Sequence, residues 1–445
     1  MTPPLDSLEG PLSVGGGQTV QSHGTQRSGL TGSASSDGGP RPRAGEPMKI
    51  LMVHKRLDVR GGAENLLLFL ARGLQERGHE VAVAACGFDP NLWPVDEWSG
   101  ITVHPLRPPE RWRRWRKRRM LLFARAVASL SQDADLIVAH NFPACVLATF
   151  GWGRRTRPRI VWYCHEPPAS LHWRTTHPTL VAAAASRGRV PLMENEARDF
   201  VTKLESRHRR RRVVDLQLDL KAVARVDTIL ANSSFTAKSI SAIYGRSAVV
   251  CHPGTPQASR RQWPRPTDPH MAWITSPAPP KNALGFLEAI RIAVHERNAH
   301  DLRVRAVGIQ TPRFRQILRE KGIVESVVLE PWQSPEELEE IVATARLVAY
   351  VSIDEPFGLV PIEAMAHARP VLASSIGGPR EVLEPGVTGL LVDPLDSSAI
   401  ADGLLALWRD PDRADLLGAQ GFARYLKDFT LEGFLGRFES QAFGS

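Results

Sequence analysis

A chain of 445 residues with 42% hydrophobic and 23% charged side chains can bury the cores of two sizeable domains, which excludes a wholly disordered or fibrous protein. The excess of 56 Lys and Arg over 47 Asp and Glu sets the net charge at +9, a balance that suits an anionic substrate, a membrane surface, nucleic acid or simply a well-solvated surface. Four scattered cysteines, Cys86, Cys145, Cys164 and Cys251, show neither pairing nor metal-ligand spacing, which argues for a reducing compartment and against a zinc site. No apolar run reaches the ~20 residues of a membrane-spanning helix.

Residues 1–47 are rich in Gly, Ser, Pro, Thr and Gln and poor in large apolar side chains, so a disordered tail is expected there. It lacks the charged start and apolar run of a secretory signal, and Met48, directly before the first strand, is a candidate alternative start. Met48 to Val53 reads as a buried parallel strand. A polar loop, 54–60, then leads to Gly61-Gly62-Ala63-Glu64 and a helix ending near Gly78. Strand, glycine turn and helix together offer free backbone amides and a positive helix end to a phosphate. Strands at Val81 to Cys86, Ile101 to Val103 and Leu136 to Val138 continue the rhythm of a doubly wound α/β domain.

Arg107 to Arg119 holds eight Lys or Arg and one Glu, with Trp112 and Trp115 three apart on one helical face. A basic helix with aromatic anchors suits an anionic membrane surface; the plainer reading is a solvated helix whose tryptophans pack inward. No DNA- or RNA-binding motif accompanies it, so no nucleic-acid partner is expected. Ile160 to Cys164 is a further buried strand, and it delivers His165-Glu166-Pro167-Pro168 at its C-terminal end, where open α/β sheets place ligand groups. A long helical, basic stretch follows from Ser170 to Val226 and includes Lys203 and Arg207 to Arg212.

Val226 to Thr236 reads as strand into helix cap, and Val249 to Gly254 closes the first domain, 48–253. A Pro-, Arg- and Gln-rich linker, 254–269, is the expected hinge. A second α/β domain, 270–425, starts with the strand Met271 to Thr275, followed by Pro279-Pro280-Lys281-Asn282 and a helix from Ala283. Leu302 to Val307 ends at Gly308; Val327 to Trp332 leads into a capping box at Ser334 to Glu337. Helical patterns at Ser397 to Trp408 and Ala414 to Leu426 finish this domain. Residues 426–445, with Leu431 to Phe443 helical, are expected to return to the first.

The most informative stretch is Ser352 to Glu381. An apolar strand, Leu347 to Val351, feeds the turn Asp354-Glu355-Pro356-Phe357-Gly358, and a helix then carries Leu359, Ile362 and Ala366 on one face. Glu355 and Glu363 lie eight positions apart, about two helical turns, so both carboxylates can face one ligand. Gly377-Gly378 ends the next strand and permits close backbone approach. Taken alone, the pattern is also that of an ordinary βαβ unit with solvated glutamates.

This stretch resembles the donor-site signature of glycosyltransferase family 4, the retaining enzymes of the GT-B fold. Glu355 and Glu363 match its paired acids, Phe357-Gly358-Leu359 its amide turn, and Gly377-Gly378-Pro379-Arg380-Glu381 its glycine loop. The resemblance implies two Rossmann-like domains facing across a cleft. It implies that Glu355 and the amides of Phe357, Gly358, Leu359 and Val360 hold the transferred sugar, and that Glu363 binds the nucleotide ribose. Lys281 matches the lysine at the donor diphosphate, Gly61 and Gly62 the loop that closes over it, and Gly308 the nucleotide side. His165, within a segment resembling Tyr-Cys-His-x-Pro-Pro, would face the acceptor side of the sugar, with 170–226 lining it. One feature departs from the pattern: Thr275 and Ser276 stand where an arginine usually precedes Lys281, and an arginine from elsewhere in that place, such as Arg303, Arg305 or Arg313, would support the enzyme reading.

The resemblance therefore implies a hexosyltransferase, of mannose or glucose type, that takes a sugar from a nucleotide diphosphate and passes it to a glycan or lipid-linked acceptor in envelope polysaccharide or glycolipid synthesis. It implies no cofactor beyond that donor substrate, no essential metal, and a cytoplasmic site of action, including the inner membrane face. A glycoside hydrolase would also use paired acids, but the glycine loops have no role in one. A nucleotide-sugar epimerase and a non-catalytic nucleotide-sugar-binding scaffold are the other readings.

Overall fold

The computed structural model describes residues 46–106, 116–153, 156–185, 191–206, 209–257 and 268–443. The expected tail at 1–47, apart from its last two residues, lies outside this range. So do Trp112 and Trp115 of the basic run, Arg207, and most of the linker.

Seven parallel strands form the first sheet: β1 (Lys49–His54), β2 (Glu80–Ala85), β3 (Thr102–Pro105), β4 (Leu136–His140), β5 (Arg159–Cys164), β6 (Thr228–Ala231) and β7 (Val249–Val250), in the order β3-β2-β1-β4-β5-β6-β7. Alternation sends the two faces of each strand into separate cores. Ile50 and Met52 join Val81, Val83, Leu136 and Val138 beneath the helix Gly62–Glu76, whereas Leu51 and Val53 join Ile137, Ala139, Ile160 and Trp162 beneath the helices Arg116–Leu130 and Ala144–Thr149. Burial on both faces is why these strands read as unbroken apolar runs.

The second sheet repeats the plan with β8 (Met271–Ile274), β9 (Val304–Val307), β10 (Val327–Glu330), β11 (Leu347–Tyr350), β12 (Val371–Ser374) and β13 (Gly389–Val392), ordered β10-β9-β8-β11-β12-β13 and again all parallel. In both sheets the strand order reverses beside the first strand, which opens a crevice at the C-terminal strand ends. This is the α/β GT-B architecture.

The chain crosses between the sheets twice at one place. Thr255 on the way out and Phe429 to Leu431 on the way back are hydrogen-bonded, Thr255 N to Phe429 O at 3.1 Å and Leu431 N to Thr255 O at 2.8 Å. The final helix, Leu431–Ala442, then buries Phe434, Leu435 and Phe438 in the core of the first sheet. Gly73 makes that contact possible, since a Cβ there would stand 2.4 Å from a Leu435 methyl.

Candidate active site

A cleft of about 910 Å³ runs between the C-terminal ends of the two sheets. On the second-domain side, β11 ends at Tyr350 and the chain turns through Asp354, which takes a positive φ of 52°, into Gly358 at φ 85° and the helix Leu359–Ala366. Only glycine fits at 358. A Cβ would lie 2.5 Å from the Tyr350 ring. The glycine loop after β12 seats directly under this turn: Gly378 N donates to Glu355 O at 2.8 Å, and a Cβ on Gly378 would meet Pro356 O at 2.1 Å.

Lys281 ends a short helical turn, Pro279–Lys281, and its Nζ donates to Glu355 Oε2 at 2.7 Å and Tyr350 Oη at 3.1 Å. Burial alone would favour the neutral amine, but Glu355 and Tyr350 outweigh it and hold the ammonium well above the usual lysine range. Glu363, one face of the helix further in, is pushed up to about 7 by burial. Phe357, Gly358, Leu359 and Val360 all line the cleft beside these groups.

The first domain supplies the opposite wall. Arg60 bonds Glu97 at 3.0 Å and lies over the Trp93 ring at 4.6 Å, and Gly61 and Gly62 follow it into the helix. A Cβ on Gly62 would touch Leu359 at 3.4 Å, so the glycine turn abuts the amide turn across the cleft. His165, one residue past β5, bonds through Nε2 with His140 Nδ1 at 3.1 Å, and His54 stands 6.3 Å, ring to ring, from His140. Burial, with the neighbouring His54, lowers His165 to about 3; burial lowers His54 to about 4 and His140 well below the ordinary value. All three are neutral imidazoles at pH 7.

Beside them, Glu166 is pushed up to about 8, first by burial and then by Glu355 and Asp354, against the pull of Lys281. His177 Nδ1 lies 3.6 Å from Glu166 Oε1 and is itself lowered to about 4 by burial. Three contacts tie the domains together around the site. Thr179 N and Leu180 N donate to Asp354 Oδ2 at 2.9 and 3.0 Å; Ser234 N and Phe235 N donate to Glu381 at 2.8 and 2.9 Å; Ser233 Oγ donates to Pro356 O at 2.5 Å.

The structure thus brings Gly61, Gly62, His165, Lys281, Glu355, Phe357, Gly358, Leu359, Val360 and Glu363 to one cleft. Gly308 follows β9 with a φ of 96°, and a Cβ there would stand 2.2 Å from Thr275 O and 3.2 Å from the Trp332 ring, both residues of the cleft lining. None of Arg303, Arg305 and Arg313 lines the cleft. Arg305 is held by Glu330 at 2.6 Å and Arg313 by Glu196 at 2.8 Å, while Arg303 bonds the His300 carbonyl at 2.9 Å. Arg303 and Arg305 are directed to partners beside their own strand, Arg313 reaches across to Glu196 on the helix Pro191–Ser206, and Arg60 is the arginine among the described lining residues. Sequence reasoning also passed over His140, His177 and the amide-accepting role of Asp354; the signals were the strand end at His140 and the place of Asp354 in the paired-acid turn, while His177, between two helices, offered none.

Two Rossmann-like domains that present a lysine, paired acids and a glycine-capped helix start to a shared cleft define a GT-B glycosyltransferase. Residues 60–258 match Glycosyltransferase Family 4 and residues 268–410 match Glycosyl transferases group 1. The chain belongs to this glycosyltransferase family.

It is 32% identical over 241 residues to the D-inositol 3-phosphate glycosyltransferase of Nocardia farcinica, covering 49% of this chain and 53% of that one. The chain thus spans about half the length of that relative. Human alpha-1,3/1,6-mannosyltransferase ALG2 is 25% identical over 443 residues, with 90% of this chain and 97% of that one covered. Among solved structures, Anabaena Alr3699/HepE in complex with UDP-glucose superposes with a TM-score of 0.66 at 19% identity, covering 87% of this chain and 97% of that one, a likeness of fold.

Proposed function

We propose that the protein moves a mannose- or glucose-type hexose, with retention of configuration, from a nucleotide-diphosphate sugar to a glycan or lipid-linked acceptor. The observation that carries this is the Lys281–Glu355 pair at the head of the Leu359–Ala366 helix, facing Gly62 across the cleft. Lys281 and the Gly61-Gly62 turn would neutralise the departing diphosphate, where negative charge develops. Glu355 and the amides from Phe357 to Val360 would orient the sugar, Glu363 would take the ribose hydroxyls, and the closed cleft would keep water out.

Retention is supported by the family resemblance and by the groups facing the sugar site, where the Glu355 carboxylate is held in its ion pair with Lys281. Glu166 holds its proton at pH 7, and His165 and His177 are weak bases. An inverting transfer would need a stronger one to activate the acceptor. Because Lys281 supplies charge at the diphosphate, we propose that no metal is required. We also place the enzyme at the cytoplasmic membrane face, on the strength of the basic run Arg107 to Arg119 in the sequence; unchanged sedimentation with anionic vesicles would remove that element.

The test is a screen of the full chain against a panel of nucleotide sugars, with and without EDTA, by melting temperature and nucleoside diphosphate release. One donor that stabilises the protein and is slowly broken down, indifferent to chelator, is the expected result. Thr275 and Ser276 leave Lys281 without its usual arginine, which favours a non-catalytic nucleotide-sugar binder as the second reading. Binding of a donor with no release, in the presence of glycan acceptors, would select it.

A further inference from the structure

Glu166 has no part in the donor chemistry just described, yet it lines the same cleft from the opposite wall. Its Oε1 is buried and makes no hydrogen bond, while the side chain as a whole is 31% exposed. Such an unpartnered polar atom is costly unless a ligand completes it. The charged and titratable groups around it are His165 on its own loop, His177 on the helical segment behind it, and Lys281, Asp354 and Glu355 across the cleft.

We propose that Glu166, backed by His177, is the seat of the acceptor's attacking hydroxyl, and that this hydroxyl belongs to an uncharged polyol face rather than to a phosphorylated one. The inference rests on the transferase reading above. A carboxylic acid that keeps its proton both donates and accepts one hydrogen bond, the same pair of roles a sugar hydroxyl offers in return. A carboxylate could only accept, and would repel the departing diphosphate. A phosphorylated acceptor would need a cation beyond the one at the diphosphate. Among the described lining residues the permanent cations are Lys281, which the departing diphosphate engages, and Arg60, which is held by Glu97.

The proton count closes without Glu166 changing state. The acceptor oxygen bonds to C1 of the sugar as the bond from C1 to the diphosphate oxygen breaks. The electron pair and the acceptor's proton both go to the diphosphate, and Glu166 keeps its own proton. Above about pH 8 it would lose that proton, and the seat would become an anion beside Glu355.

The experiment uses the full chain, the donor that best stabilises it, and water and glycerol as hydroxyl probes. Nucleoside diphosphate release and glycosyl-glycerol formation are followed from pH 6 to 10 in wild type, Glu166→Gln and Glu166→Ala, with melting temperatures confirming folding. Glu166→Gln, isosteric and neutral, is expected within about threefold of wild type at pH 7 and without the wild-type decline above pH 8. Glu166→Ala is expected to lower kcat at least tenfold with the donor KM within twofold. The same alkaline decline in wild type and Glu166→Gln overturns the proposal, as does a Glu166→Ala defect confined to donor KM. A wild-type chain that transfers to glycan acceptors but turns over neither probe also overturns it, because a hydroxyl seat at Glu166 must admit both; one that binds donor and transfers to no acceptor at all sinks the transferase reading instead. A chain that binds no nucleotide sugar fails at the earlier step and sinks the transferase reading itself.

Discussion

Lys281 Nζ lies 2.7 Å from Glu355 Oε2, joining residues 74 positions apart into an ion pair that lines the cleft. Side-chain exposure is 29% and 15%, so the pair is shielded but not dry. Removing one member of a shielded pair leaves the other charge uncompensated, at about 2–4 kcal/mol when partly wet. Lys281→Met is therefore expected to lower stability by about that amount and to weaken nucleoside diphosphate binding at least a hundredfold. Denaturant unfolding and calorimetric titration check both; binding within fivefold of wild type would remove Lys281 from the diphosphate site.

Glu363 gives a pH prediction with a definite sign. Burial raises it from the ordinary glutamate value of 4.5 to about 7, so the folded state holds its proton more tightly than the unfolded chain. Its favourable contribution is full below pH 4.5 and is lost as pH rises through 7, by up to roughly 3 kcal/mol. Glu363→Gln is expected to match wild type near pH 5 and to exceed it in stability near pH 8.5. Wild-type nucleotide affinity should move the other way, strengthening through pH 7 as the carboxylate forms and can accept from ribose hydroxyls. Parallel stability curves for the two proteins would show that Glu363 titrates as an ordinary solvated acid.

The fold was legible because its strands are buried on both faces. Runs such as Ile50 to Val53 and Leu347 to Val351 have no polar interruption, and each is followed by a glycine or polar turn and an amphipathic helix. The paired acids and glycine turns were legible because they occupy one contiguous stretch whose backbone demands can be read locally, as the clash at Gly358 shows. What stayed hidden depends on distant partners. Nothing near Asp354 in sequence points to the amides of Thr179 and Leu180, and nothing near Glu166 points to His177 or Glu355. Nor does anything near Arg60 in sequence mark it as the arginine that reaches the cleft, from the first domain rather than from beside Lys281 in the second.

Gly378 separates backbone need from side-chain chemistry. Its φ of −66° is ordinary, so alanine there carries no backbone strain, but its Cβ would stand 2.1 Å from Pro356 O and 2.4 Å from Phe357 Cα. Both neighbours are backbone and cannot swing aside. Gly378→Ala is expected to push the glycine loop off the amide turn, costing about 1–3 kcal/mol by overpacking. An ångström of misplacement at the sugar site is worth about a hundredfold in rate. Donor turnover and melting temperature measure the two effects, and a variant with full turnover would show that the turn at Pro356 and Phe357 is not held by this loop.

Glu381 tests whether the closed cleft is held by carboxylates at helix starts. It reaches from the second domain to the first turn of the helix Ser234–Tyr244, accepting from Ser234 N and Phe235 N, and His252 Nε2 lies 3.1 Å away. Free amides and the helix dipole both favour an anion there. Burial opposes ionisation, but His252 and the two amides prevail and hold Glu381 below its usual range. Its contribution is thus present above pH 4.5 and is lost as pH falls through the lowered value. Glu381→Ala removes a cap worth about 1–2 kcal/mol and, because that cap joins two domains, is expected to populate a more open form. Small-angle scattering at pH 7 should show a larger radius of gyration that donor brings back to the wild-type value, with donor affinity lowered severalfold. Glu381→Gln, which can accept one of the two amides, should fall between. A radius unchanged in both variants, with donor affinity intact, would mean that the Asp354 and Ser233 contacts close the cleft on their own.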